Sequence, residues 1–315
     1  MDKSSDLFKY TTSYGLEVLR TPDSCFKDVD YPFKEHFAQV QEMRMHYVDE
    51  NPNAKKVIVL LHGEPTWGYL YRKMIPILAK AGYRVIVPDL IGFGKSDKPL
   101  DKKSYSYSQN EEWLQEFLFD ELNLNEINLV VHDWGGLIAL RLVARFPEKF
   151  ASVVATNTAF PRIEGFNPIF YIWRIIAFII SIVPYSKLIP LGINSAVKKD
   201  EMLAYDAPYP NAKYKIAPKI FPKLVPIYPW QKEVKKNKSL WKELCNFSKP
   251  FLTVFSGKDP FTKKVELDFI KEVKGAQGIA HKKVPKANHF IQEEEPELLS
   301  EYIVEFLENH VYLDR

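Results

Sequence analysis

The segment Ile127 to Pro147, INLVVHDWGGLIALRLVARFP, runs from a five-residue apolar strand pattern straight into His132-Asp133-Trp134-Gly135-Gly136 and then a helical pattern, with no room for an ordinary loop. So tight a strand-to-helix turn thrusts one side chain out over the edge of a sheet, and the small residues behind it let the helix pack close. Here that side chain is Asp133. It has the setting of a nucleophile elbow, with aspartate where serine often stands, and it can equally serve as the cap of the helix that follows. A second strand pattern, Lys56 to Leu61, ends in His62-Gly63-Glu64-Pro65-Thr66-Trp67. A glycine-containing turn there can aim a backbone N–H at the reacting centre. With the N–H of Trp134, just after the nucleophile, it would make an oxyanion hole.

A nucleophile of this kind needs a base. Of seven histidines, His62, His132 and His289 stand at strand ends. His289, in KANHFIQEEEPELL, follows the last strand pattern and completes the order nucleophile, acid, histidine expected of such a triad. His62 and His132 adjoin the oxyanion-hole and nucleophile residues rather than facing them, so they read as structural. The acid that orients His289 belongs at another strand end. After Ser152 to Thr156 the chain offers Asn157 and Thr158, which do not ionise; after Phe251 to Phe255 it offers Asp259, the choice by elimination. Asp89 and Asp97, in PDLIGFGKSD, read as turn and hydrogen-bonding residues, and that segment lacks phosphate-loop spacing.

These positions require a sheet that brings several strand ends together. Short β-branched runs recur at Met43 to Val48, Lys56 to Leu61, Arg84 to Pro88, Ile127 to Val131, Ser152 to Thr156, Phe251 to Phe255 and His281 to Pro285, each followed by a helical or turn pattern. That rhythm predicts an α/β fold with a mostly parallel central sheet flanked by helices. Ser108-Gln109-Asn110-Glu111 reads as a capping box opening a helix that ends near Asn123. From 159 to 230 the rhythm breaks into helical, aromatic sequence with eight prolines between Pro161 and Pro222. The expected organisation is a core over 1–158, an inserted helical cap over 159–230, and the rest of the core over 231–315. Ligands bind beyond the carboxyl ends of strands in such sheets, where a cap would enclose the site.

Composition narrows the partners. With 315 residues, 46% hydrophobic and 26% charged, the chain can bury a large core without disulfides or metal. The net charge is +3, and the lysines are scattered rather than blocked, which disfavours nucleic acid. Cys25 and Cys245 are expected to stay reduced in a cytoplasmic protein, since no secretory pattern precedes them. The apolar stretch Ile169 to Val183 is too short to span a bilayer, is interrupted by Arg174, and reads as a buried or pocket-lining helix.

The segments Arg20-Thr21-Pro22-Asp23, HGEPTW, YLYRKMIP, PDLIGFGKSDKP, HDWGG, YDAPYP, FPKLVP, SGKDP and NHFIQE together cover nearly the whole chain. With them the sequence resembles the haloalkane dehalogenases of the α/β-hydrolase superfamily. The resemblance implies Asp133 as nucleophile, His289 as base, Asp259 as its partner, and the backbone N–H groups of Glu64 and Trp134 as the oxyanion hole. It implies halide held by the indole N–H of Trp134 and by a cap tryptophan, here Trp173. Some relatives carry Asn at the position of Glu64 and use its amide; an ionised glutamate would repel halide, making Trp173 more necessary. His132 stands where the branch of the family carrying HGEPTW usually has Gln, and Asn288 where a Gly usually precedes the histidine.

The chemistry agrees with the residue types. Displacing halide from saturated carbon needs an oxygen nucleophile that is already ionised at neutral pH, which a carboxylate is. Water activated by neutral His289 would then hydrolyse the aspartyl ester, with Asp259 fixing the ring. The implied partners are a small apolar halogenated substrate, halide and water, acted on by a monomer with no cofactor and no metal. An epoxide hydrolase would share Asp133, His289 and Asp259 but need cap tyrosines, for which Tyr171, Tyr205, Tyr209 and Tyr214 are available. A catalytically inactive ligand-binding protein on this fold is the remaining alternative.

Overall fold

The computed structural model describes residues 8–162 and 183–312. Eight strands form one sheet: β1 (Glu35–Val40), β2 (Met43–Glu50), β3 (Val57–Leu61), β4 (Arg84–Pro88), β5 (Ile127–His132), β6 (Phe150–Thr156), β7 (Phe251–Ser256) and β8 (Lys282–Val284). Their order across the sheet is β1-β2-β4-β3-β5-β6-β7-β8. The β1–β2 and β2–β4 pairs are antiparallel and every other pair is parallel. Strands β3 and β5 are buried at every position, which is why they read as unbroken apolar runs rather than alternating ones.

Parallel register brings the useful ends into line. Leu61 pairs with Val131, His132 with Thr156, Thr156 with Val254, and Ser256 with Val284. The loops that begin at His62, Asp133, Asn157, Gly257 and Pro285 therefore leave the same edge side by side. The helix Trp134–Arg145 packs against Tyr107–Gln115 and Lys232–Asn246, while Ile75–Lys80 packs against Pro296–His310.

The helix after β4 starts two residues earlier than the capping-box reading placed it. Ser106 is its N-cap, accepting from the Gln109 N–H at 3.0 Å, and the helix opens at Tyr107. Ser106-Tyr107-Ser108-Gln109 thus supplies a Ser-x-x-Gln start two residues before the Ser-x-x-Glu of Ser108 to Glu111. The edge strand β1 was not anticipated. Its sequence EHFAQV alternates buried and exposed positions with few β-branched residues, so it carries a weak signal. Between 183 and 231 the described residues form short helices, among them Tyr185–Leu188, Lys199–Leu203 and Ile216–Leu224, and no strand. The stretch Ile169 to Val183 lies outside the described residues but for its last residue. Among the described residues no helix is long and apolar enough to cross a membrane. Cys25 and Cys245 are both free thiols.

Candidate active site

Asp133 takes the conformation that the sequence turn demands. Its φ of 48° and ψ of −124° lie in a region that non-glycine residues adopt only under constraint, and the helix begins at the next residue. Its side chain makes no capping hydrogen bond, so of the two readings of this aspartate the helix cap is set aside. The glycines are needed for close approach. A Cβ on Gly135 would lie 2.4 Å from the Leu61 carbonyl oxygen, and one on Gly136 would lie 2.1 Å from Thr158 Oγ1. Thr158 in turn donates to the Asp133 carbonyl at 2.7 Å, holding the elbow from the end of β6.

The carboxyl of Asp133 is met from two sides. The backbone N–H of Glu64 donates to Oδ1 at 2.9 Å, and the N–H of Trp134, at the first residue of the helix, favours the ionised carboxyl. On the other side His289 Nε2 lies 3.7 Å from Oδ2, beyond hydrogen-bond range but facing it. Burial raises the Asp133 pKa above the ordinary carboxylate value, opposed by His289 and the two N–H groups. Gly63 makes this approach possible, since a Cβ there would sit 2.3 Å from Asp133 Oδ1.

Asp259 stands three residues beyond β7, and its Oδ2 is 3.1 Å from His289 Nδ1. Burial would raise its pKa, but His289, the Thr262 hydroxyl and the Phe261 N–H outweigh burial and hold it at about 2. An ionised Asp259 can only accept, so Nδ1 of His289 carries the proton and Nε2 is left toward Asp133. Burial alone would lower the His289 pKa; Asp259 and then Asp133 reverse that and raise it.

Two residues passed over as candidates fix the backbone of the base. Asn157 Nδ2 donates to the His289 carbonyl at 2.8 Å, and His132 Nε2 donates to the same oxygen at 2.9 Å. The His132 ring lies 4.8 Å from that of His289. Burial, and then the charge of His289, lowers the His132 pKa to about 3, so it is neutral. Asn157 also bridges to the Ser256 hydroxyl and N–H, tying the ends of β6 and β7 together. A strand-end Asn with side chain and backbone both free to bond was the signal available. His62 is structural, as its position suggested: Nε2 accepts from the Leu90 N–H at 3.0 Å, which leaves Nδ1 to donate to the Gly63 carbonyl. Asp89 and Asp97 are hydrogen-bonding hubs. Asp89 accepts from the N–H groups of Gly68 and Lys95, and Asp97 accepts from Arg20, Tyr10 and the Arg44 N–H.

The Trp134 ring is buried against Tyr107 and Phe221, the latter centroid 4.7 Å away. Trp173 and Tyr171 lie outside the described residues. Burial and then Asp133 push the pKa of the Glu64 carboxyl well above the usual value. Among the tyrosines an epoxide hydrolase would need, the Tyr205 hydroxyl is committed to Glu293, which Arg72 and Lys73 also hold.

Residues 56–179 match the model of the alpha/beta hydrolase fold family. The sequence is 43% identical over 296 residues to a haloalkane dehalogenase of Mycobacterium marinum, covering 92% of this chain and 99% of that one. It is 41% identical over 306 residues to one of Psychrobacter cryohalolentis, covering 94% and 99%. The chain belongs to the haloalkane dehalogenase family. Its fold is close to that of the solved haloalkane dehalogenase DpaA of Paraglaciecola agarilytica, with a TM-score of 0.83 at 31% identity over 94% of this chain and 98% of that one. That relative is described as tetrameric. Among the described residues of this haloalkane dehalogenase, no group of three or more His, Cys, Asp or Glu side chains is arranged to hold a metal ion.

Proposed function

We propose that this chain hydrolyses carbon–halogen bonds in haloalkanes, with Asp133 as nucleophile, His289 as base and Asp259 as the partner that orients it. The observation that carries the reading is the Asp133 carboxyl itself, held at a strained elbow with Oδ1 on the Glu64 N–H and Oδ2 facing His289 Nε2. Because Oδ1 is engaged, Oδ2 is the oxygen free to attack. It forms a bond to the halogen-bearing carbon as the carbon–halogen bond breaks, giving an alkyl ester and a halide ion. Oδ1 is then the ester carbonyl oxygen, already lying where two backbone N–H groups can stabilise it.

His289 next takes a proton from water through Nε2 as that water attacks the ester carbonyl carbon. The tetrahedral oxyanion is stabilised by the N–H groups of Glu64 and Trp134, and its collapse releases the alcohol and restores Asp133. The net reaction is haloalkane plus water to alcohol, halide and a proton. Asp259, ionised at any pH above about 2, stabilises the imidazolium that forms. The indole N–H groups of Trp134 and Trp173 are assigned to the departing halide, whose charge would otherwise be costly in an apolar site. Residues 159–230 are assigned as the cap over the site, and the working unit as a monomer. Incubation with 1-bromobutane and 1,2-dibromoethane tests the whole reading: bromide is released by the chain and not by Asp133→Ala. Equal release by that variant would overturn it.

A further inference from the structure

The backbone around His289 is gripped from two directions. Its own carbonyl is held by Asn157 and His132, at the ends of β6 and β5, whereas the N–H groups on either side of it lead to residues 192–194, within the segment assigned as the cap. The Phe290 N–H donates to the Gly192 carbonyl at 3.2 Å. The Asn288 N–H donates to Glu294 Oε2 at 2.6 Å, and the other oxygen of that carboxyl accepts from the Asn194 N–H, also at 2.6 Å. Asn194 Nδ2 adds a bond to the Lys286 carbonyl at 3.0 Å. The two segments touch as well as bond: a Cβ on Gly192 would lie 2.8 Å from the Phe290 ring and 3.4 Å from His289 Cβ.

Glu294 closes the short helix Ile291–Glu294, which begins two residues after His289. A carboxylate can accept at both of its oxygens, while an amide of the same length would turn a donor toward one of the two N–H groups. Asn288 passes the grip on to the base, since its Oδ1 accepts from the His289 N–H at 2.9 Å. We infer that Glu294 is a positioning residue for ester hydrolysis: it fastens the loop carrying His289 to residues 192–194, so that the seating of the cap sets where the base stands. The inference rests on the readings of Asp133 as nucleophile, His289 as base and 159–230 as cap. Formation of the ester uses none of these ties, because Asp133 is held by the Glu64 N–H and by Thr158. Hydrolysis does depend on them. A base must lie within hydrogen-bond reach of the water it activates, and Nε2 stands 3.7 Å from Asp133 Oδ2, so a small shift of the loop spoils that geometry.

The test separates the two steps by rapid quenching with 1-bromobutane, following bromide and the fraction of protein carrying a butyl ester by intact-protein mass spectrometry. The proteins compared are the full chain, Glu294→Gln, Glu294→Ala and Gly192→Ala, the last pressing on the same contact from the cap side. The rate constants of ester formation and ester hydrolysis are compared within each protein, so partial loss of folded enzyme cancels. A misplacement of ~1 Å costs about a hundredfold, and a loosened loop that moves by part of that distance is expected to slow hydrolysis about tenfold. Ester formation should stay within twofold of the unaltered chain, so that butylated protein accumulates during turnover. Hydrolysis within twofold of the unaltered chain in every variant, or both steps slowed by one common factor, would overturn the positioning role and leave the nucleophile reading standing. Neither ester nor bromide from the unaltered chain would remove the nucleophile reading, and this inference with it.

Discussion

Gly63→Ala places a methyl group against the nucleophile without replacing any catalytic side chain. The added Cβ would stand 2.3 Å from Asp133 Oδ1, 2.4 Å from its Cβ and 2.8 Å from its Cγ. Ordinary contact begins at 3.4 Å, so the carboxyl or the turn must give by about 1 Å. The Glu64 N–H to Oδ1 bond, now 2.9 Å, cannot survive that movement. Losing one oxyanion-hole donor costs roughly a hundred- to a thousandfold in rate. A misplacement of ~1 Å costs about a hundredfold on its own account. Overpacking a tight site should also lower stability by about 1–3 kcal/mol. The assay is bromide release from 1-bromobutane at several concentrations, with thermal unfolding followed alongside. The expected result is a folded protein whose kcat/KM is at least a hundredfold lower. Activity within threefold of the unaltered chain would mean that Asp133 does not react from this position.

Asp259→Asn should act on both stability and pH dependence. The folded pKa of about 2 lies below the ordinary 3.8, so Asp259 contributes stability that is present above 3.8 and lost as pH falls through about 2. Its removal should cost about 2 kcal/mol at neutral pH and flatten the unfolding profile between those values, read by chemical denaturation at stepped pH. His289 has the opposite sign: its raised pKa contributes stability below 6.5 that is lost as pH rises through the folded value. Without Asp259 the acid limb of turnover should move to lower pH, and ester hydrolysis should slow by roughly a hundred- to ten-thousandfold. For the halide site, Trp173→Phe should weaken chloride quenching of tryptophan fluorescence and slow turnover; unchanged quenching and turnover would remove Trp173 from it.

The sequence made the site legible where local chemistry forces the geometry. An apolar run joined to HDWGG leaves only an elbow, and Asp133 is found there at φ 48°. Asp259 emerged by elimination among strand ends, and it lies against His289 because parallel register aligns Ser256 with Val284. What could not be read depends on distant contacts. The clamp of Asn157 and His132 on the His289 carbonyl joins residues more than a hundred positions apart, and nothing local to either announces it. The upward shift of the Glu64 pKa depends likewise on distant contacts, since only the fold brings Asp133 up to it. The missed strand β1 is stabilised by pairing with β2 rather than by its own propensity.

The most direct test of the mechanism is His289→Gln incubated with 1-bromobutane and read by intact-protein mass spectrometry with peptide mapping. Glutamine cannot activate water as histidine does, while Asp133 keeps its Glu64 N–H and its access to the substrate carbon. The account predicts one butyl group per protein, on the peptide carrying Asp133, with a single equivalent of bromide released. Unmodified protein, or a butyl group on any other residue, would contradict it.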